Sequence, residues 1–322
     1  MKICMLGAGS LGSSIGGTLA RGGHEVTFFD MFKAHVDAMN AKGLHMVENL
    51  DRDPGIFVPV KATGSYSDIP KQDLVIVLVK SFSTREAVQQ AKDAGLIGEG
   101  TTVMTLQNGL GNEEAIMEVA GPENVISGKT FASGFLVEPG KVMATVTGRV
   151  TYIGEMDGQI TDRIRFIGEE LTRGGVEAIV SDNIRGMIWD KLLVNVATGA
   201  ISGITGLTYG GLYEKYQEGA LPQMKETACA AVAEAIAVAK AYGVKLTSED
   251  PVYSWDHASE GQPASFKASI LQSIERGVAT EIDFINGAVA EWGKKAGVPT
   301  PVNDTMVACV KGIEYRIQKA KG

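Results

Sequence analysis

The chain has 322 residues, enough for two domains of ordinary size, with 44% apolar and 21% charged residues as in a globular enzyme. A net charge of -8 argues against a nucleic-acid partner, which selects basic faces, but allows an anionic small molecule held by a few lysines. Cys4, Cys229 and Cys309 are odd in number and far apart, which excludes a disulfide framework and points to a reducing compartment.

The first apolar stretch, from Ile3 on, is broken by glycine and serine and lacks a leader cleavage site, and no apolar run is long enough to span a bilayer. The expected setting is the cytoplasm, with no membrane partner. His24, His35, His45 and His257 show no ligand spacing, so no metal is expected.

In chain order, residues 2–6 (KICML) read as a short buried strand. Gly7-Ala8-Gly9-Ser10-Leu11-Gly12 reads as a turn, followed by a helix from Ser10 to Arg21 that Gly22-Gly23 ends. Glu25–Asp30 reads as a second strand. Further strands are expected at Leu74–Val79, Thr101–Leu106 and Asn124–Gly128, with helices near 81–94 and 112–120. This alternation predicts an α/β domain with a doubly wound, mainly parallel sheet. Lys141–Val146 and Arg149–Ile153 alternate as antiparallel strands do. A helix at 160–172 and a strand at 176–180 close a first domain, residues 1–182. Residues 183–322 form a helical second domain, with helical spacing at 183–201, 222–242, 264–276, 282–296 and 303–319.

The glycine turn is a dinucleotide signature because of its setting: strand before, helix after, second strand at the right distance. Gly7 permits the tight turn, Gly9 lets backbone approach a pyrophosphate, and Gly12 lets the helix pack on the sheet. The helix N-terminus offers N–H groups and partial positive charge to the phosphates, so residues 7–12 are the candidate cofactor loop. Asp30 ends the second strand, where a carboxylate accepts from ribose hydroxyls and repels a 2′-phosphate, favouring NAD. The plain alternative is an Asp capping the next helix, and Lys33 is close enough in sequence to reach a phosphate.

Leu106-Gln107-Asn108-Gly109-Leu110-Gly111-Asn112-Glu113-Glu114, Trp189-Asp190-Lys191-Leu192 with Asn195, and Ser269 followed by Thr280-Glu281-Ile282-Asp283 together resemble the ketopantoate reductase family, in matching order across nearly the whole chain. The resemblance implies a Rossmann domain joined to an all-α domain like that of 6-phosphogluconate dehydrogenase, with the active site in the cleft between domains. It implies reduction of 2-dehydropantoate to pantoate with NADPH as the family default, and a homodimer. Lys191 matches the family's catalytic lysine, which protonates the alkoxide left by hydride attack; burial lowers a lysine's pKa toward that task. Asn195, four residues on and on the same helical face, matches the residue that positions lysine and substrate. Glu281 matches the acid that holds a substrate hydroxyl, with a helix N-terminus expected to keep it ionised. Ser269 matches a contact to the substrate carboxylate, and Asn108 stands at a strand end beside nicotinamide and substrate. Lys80 matches a second active-site lysine attracting the 2-oxo acid; with Asn108 and Glu281 it also belongs to the cofactor set.

Two positions depart from the family. Gly199 stands where a second Asn is common, which opens the alternative of another small 2-oxo or hydroxy acid. Met31 stands where Arg commonly binds the NADP phosphate, so Asp30 with Met31 favours NADH. A non-catalytic dinucleotide sensor is the third alternative; the retained Lys191, Asn195 and Glu281 weigh against it.

Overall fold

The structure is a computed structural model that describes residues 1–51, 53–216 and 221–320. The chain divides into two compact units, Met1–Gln107 with Asn112–Ile184, and Asn108–Gly111 with Arg185–Gly322.

The first unit runs β1 (Lys2–Leu6), α1 (Ser10–Arg21), β2 (Glu25–Phe29), α2 (Lys33–Lys42), β3 (Leu44–Val47), β4 (Ile56–Val58), β5 (Lys61–Thr63), β6 (Leu74–Val77), α3 (Thr84–Asp93), β7 (Thr102–Thr105) and α4 (Asn112–Ala120). It continues with β8 (Val125–Thr130), β9 (Ser133–Glu138), β10 (Lys141–Thr145), β11 (Thr151–Glu155), α5 (Asp162–Arg173) and β12 (Ala178–Val180). Eight strands form one sheet in the order β12-β11-β8-β7-β6-β1-β2-β5. Every neighbouring pair is parallel except β8 with β11. β1 lies between β2 and β6, where the winding reverses, and the glycine turn sits at this carboxyl edge.

Both faces of β1 are buried, as a parallel strand between layers requires. Ile3 and Met5 join a core with Ile15 and Leu19 of α1, whereas Cys4 and Leu6 join a second core with Val88 of α3 and Ile116 of α4. Full burial contributes about 1.5–3 kcal/mol for each large side chain. It also pushes the Cys4 thiol up to about 12, so Cys4 is an inert apolar filler.

A second sheet, β4-β3-β10-β9, was not foreseen. Its strands β3 and β4 are only four and three residues long, and Ile56 and Phe57 face solvent, so residues 31–73 carry weak periodicity. Lys141–Thr145 does pair antiparallel, with β9 in this small sheet; Thr151–Glu155 pairs antiparallel with β8 in the large one. α1 touches both sheets through adjacent glycines. A Cβ on Gly16 would lie 2.5 Å from Met5 and 2.6 Å from the Phe28 ring, and one on Gly17 would lie 2.5 Å from Met46.

The second unit is helical: α6 (Ile184–Thr205), α7 (Tyr209–Leu212), α8 (Pro222–Ala241), α9 (Pro251–Ala258), α10 (Ser269–Arg276), α11 (Asn286–Ala296) and α12 (Pro301–Lys319). The spacing at 264–276 and 282–296 overran the true starts: α10 begins at Ser269, and a 3₁₀ turn at Ile282–Phe284 precedes α11. Trp189 of α6 meets Trp292 of α11 edge-on at 5.8 Å, and Asp190 accepts from the backbone N–H (3.0 Å) and hydroxyl (2.6 Å) of Thr247. Glu234 of α8 accepts from the Val302 and Asn303 N–H groups at the start of α12, at 2.8 and 3.0 Å. No described helix is long and apolar enough to cross a membrane.

The contact of α1 with both sheets is testable. Gly16→Ala forces a methyl into the Met5–Phe28 core and should lower unfolding free energy by about 1–3 kcal/mol, measured by urea titration.

Candidate active site

The candidate residues fall into two sets, one in each unit. In the first unit, Gly7 has φ +105°, and a Cβ there would stand 2.7 Å from the Leu78 backbone, so glycine alone closes the turn. A Cβ on Gly12 would lie 2.0 Å from the Gly7 carbonyl oxygen. The close approach of α1 to the end of β1 therefore demands the third glycine, and Gly16 continues this packing along the helix. At Gly9 a Cβ would meet nothing within 4 Å. Gly9 is the N-cap of α1, no side chain caps the helix, and its first turn holds no acid. An open space facing uncapped N–H groups at a helix start is a cradle that fits a dinucleotide pyrophosphate.

Asp30 lies just past β2 and braces this cradle. Its Oδ2 accepts from the Ala8 N–H at 2.8 Å, and its Oδ1 accepts from the Phe32 N–H at 2.8 Å. The plain alternative for Asp30, a cap on the next helix, does not hold: α2 is N-capped by Phe32 with no side-chain cap, and on that side Asp30 bonds only the Phe32 N–H. A carboxylate has about four acceptor positions, which leaves capacity for ribose hydroxyls. Beside it, Met31 is 77% exposed and uncharged. Lys33 pairs with Asp37 at 2.6 Å on the same helix. Ser10 turns its hydroxyl to the Leu136 N–H at 3.1 Å, leaving its backbone as its contribution to the loop. Leu11 is half-buried against the core.

Lys80 is exposed and precedes a 3₁₀ turn at Ser81–Ser83, two residues after Leu78, which backs Gly7. The adjacent strand end is tied to it by Gln107, whose Nε2 donates to the Val79 carbonyl at 2.7 Å and to Thr84 Oγ1 at 2.8 Å. Glu113, the second residue of α4, is buried, and its Oε1 accepts from Ser127 Oγ at 2.7 Å. Burial pushes its carboxyl up to about 7. No sequence signal marked it as a buried acid, because Glu at the start of a helix is ordinarily solvated.

In the second unit, Lys191 and Asn195 stand one turn apart on α6, both half-buried. The buried Trp189 and the Thr247-bound Asp190 fix the rotation of α6 and so leave these two on a separate face. The same face continues through Gly199 and Gly203, where α10 lies against α6. A Cβ on Gly199 would meet Ile270 Cδ1 at 3.4 Å, and one on Gly203 would meet Ile270 Cγ2 at 2.6 Å. Ser269, the first residue of α10, is placed by this contact.

Glu281 corrects an expectation. It precedes a single 3₁₀ turn, Ile282–Phe284, with Ile285 breaking the path into α11, so no long helix dipole acts on it. What holds this turn is the loop after Asn108: the Leu110 N–H donates to the Phe284 carbonyl at 2.9 Å, and Gly109 (φ +89°) packs on Phe284. Asn108 lies three residues beyond β7, and residues 108–111 group with the helical unit. The structure thus joins the loop after Asn108 to the turn after Glu281, and the stretch of α6 beyond Asn195 to Ile270, the second residue of α10.

The family profile described as Ketopantoate reductase PanE/ApbA matches residues 3–158, and its C-terminal counterpart matches residues 183–314. The chain belongs to the ketopantoate reductase family. A 2-dehydropantoate 2-reductase from Pyrococcus horikoshii is 36% identical over 314 residues, 98% of each chain. One from Mesorhizobium japonicum is 30% identical, with 97% of each covered. Among solved structures, a PanE/ApbA family ketopantoate reductase from Ralstonia eutropha superposes with a TM-score of 0.86 at 32% identity, covering 99% of this chain and all of that one. D-mandelate dehydrogenase with NADH and anilino(oxo)acetate superposes with a TM-score of 0.87 at 26% identity, again over 99% of this chain and all of that one. The family is one of dinucleotide-binding reductases, as the glycine turn indicated.

The buried Glu113 generates a pH dependence. Its native pKa of about 7 exceeds the 4.5 of a free glutamate, so this contribution to stability is complete below pH 4.5. It is lost as pH rises through about 7, by up to roughly 3 kcal/mol. Glu113→Gln should flatten the fall, seen as a smaller Tm difference between pH 5 and pH 8 than in the parent.

Proposed function

We propose that the chain is an NAD(P)H-dependent reductase that converts 2-dehydropantoate to pantoate, and that NADH is its preferred donor. The observation that carries the chemistry is the α6 face, on which Lys191 and Asn195 stand one turn apart with the helix rotation locked by Trp189 and Asp190. When bound, the nicotinamide supplies a hydride to C2 of the 2-oxo acid. Lys191 donates the proton that the C2 oxygen then needs, and Asn195 orients that oxygen and the lysine. Ser269 receives the substrate carboxylate, Glu281 accepts from a substrate hydroxyl, and the exposed charge of Lys80 attracts an anionic substrate. Asn108 would contact the nicotinamide and the substrate. Residues 7–12 hold the pyrophosphate, and Asp30 takes the ribose hydroxyls.

The donor preference rests on Asp30 and its surroundings. A 2′-phosphate would meet the carboxylate, the uncharged Met31, and a Lys33 already engaged by Asp37. A second reading keeps the chemistry and changes the substrate. Gly199 is covered by Ile270, so the α6 face turns apolar beyond Asn195, which favours a 2-oxo acid with a less polar side chain. The likeness to D-mandelate dehydrogenase supports this reading too.

A panel of 2-oxo acids assayed with both cofactors separates the readings. The first predicts the highest kcat/KM for 2-dehydropantoate with NADH; a clear preference for an aryl or alkyl 2-oxo acid selects the second. Lys191→Ala should lower kcat by about 10²–10⁴-fold while cofactor affinity stays within about twofold. Unchanged turnover would remove Lys191 as the acid. Asp30→Ala should weaken both cofactors, because the Ala8 N–H loses its acceptor, and should weaken NADH more. The ratio of NADH to NADPH specificity would then fall by about tenfold, read from steady-state kinetics; an unchanged ratio would contradict the ribose role.

A further inference from the structure

His35 takes no part in the chemistry above, yet it is 1% exposed and sits at the centre of a hydrogen-bond chain that ends on the cofactor loop. The Gly140 N–H donates to His35 Nδ1 at 2.8 Å, so that nitrogen carries no proton. The ring proton is therefore on Nε2, which lies 3.1 Å from Ser13 Oγ and donates to it. Ser13 Oγ in turn donates to the Ala8 carbonyl at 2.7 Å. Ala8 is thus gripped twice: its N–H by Asp30 and its carbonyl by Ser13. The far end of the chain is the β9–β10 turn, and that hairpin also seats the start of α1, through Leu136 on Ser10 and Gly134 against Ser10 and Ser14.

We propose that His35 is a positioning residue for the dinucleotide: the Gly140–His35–Ser13–Ala8 chain sets the orientation of the glycine turn before the cofactor arrives, so that binding does not have to order it. This rests on the reading of residues 7–12 as the pyrophosphate loop. The chain conducts in one tautomer only. A second proton on His35 would place an Nδ1–H against the Gly140 N–H, two donors facing each other, and the hairpin would let go of the ring. Burial holds the His35 pKa below the usual histidine range, while the Asp30 charge and the Ala8 backbone oppose this. Among the described residues, the partners facing His35 from α1 and from the hairpin turn are the neutral Ser13 and the Gly140 backbone, and Asp30 is the ionised group that acts on it. Cofactor affinity should therefore be level near neutrality and fall as the solution is made acid.

The test is titration of the full-length protein with NADH across pH, with steady-state kinetics at saturating cofactor alongside. Ser13→Ala cuts the chain next to Ala8 and should raise the NADH Kd by about tenfold, with kcat and the substrate KM within about twofold of the parent. His35→Asn keeps an acceptor for the Gly140 N–H and cannot be protonated; it should remove the acid-side loss of affinity. It carries the test alone if Ser13→Ala does not fold. An NADH Kd within twofold of the parent in Ser13→Ala, or an acid limb that persists in His35→Asn, overturns the proposal. A parent protein that binds neither NADH nor NADPH overturns the dinucleotide reading itself, and the positioning role with it.

Discussion

A helix that binds phosphate must leave its first N–H groups bare and still hold its first turn rigid. Those two demands conflict, because the usual way to stiffen a helix start is a side-chain cap that consumes the same N–H groups. Here the conflict is resolved one residue upstream. No side chain caps α1 at Gly9, and rigidity comes instead from Ala8, whose N–H is held by Asp30 and whose carbonyl is held by Ser13. Asp30 reaches it from the end of β2, and Ser13 is backed by His35 and the β9–β10 turn. The small second sheet has a clear place in this arrangement: it carries the hairpin that seats α1 against the large sheet.

The helical unit follows the same logic with different materials. The proposed reacting side chains Lys191 and Asn195 are long or polar and would wander on an unanchored helix. α6 is anchored by residues that do no chemistry, an edge-on tryptophan pair and the Asp190–Thr247 bonds. Further along the face, Gly199 and Gly203 admit Ile270, which draws in α10 and with it Ser269. The absence of side chains at these two positions thereby lets the start of α10 sit against α6.

Much of this was legible in the sequence where the cause is local. The turn at residues 7–12 lies between a strand and a helix that both follow from short-range pattern, and α1 spans the residues expected of it. The face shared by Lys191 and Asn195 needs only helical spacing. What was not legible depends on distant partners. His35 reads as one more polar residue in a helix because its acceptor role is set by Gly140, 105 residues away. Glu281 is expected at a helix N-terminus, but the single 3₁₀ turn after it supplies no long helix dipole. β3 and β4 escaped notice because strands of three or four residues with exposed apolar side chains have no periodicity to read.

The central claim is that this chain transfers a hydride to C2 of 2-dehydropantoate and that Lys191 completes the alcohol. Its most direct measurement is reduction of 2-dehydropantoate by NADH carrying deuterium at the transferring C4 position, with the product examined by mass spectrometry and NMR. The account predicts one deuterium at C2 of pantoate from the parent protein, and loss of that product in Lys191→Ala with NADH still bound. Pantoate without deuterium, or no consumption of either cofactor, would contradict it.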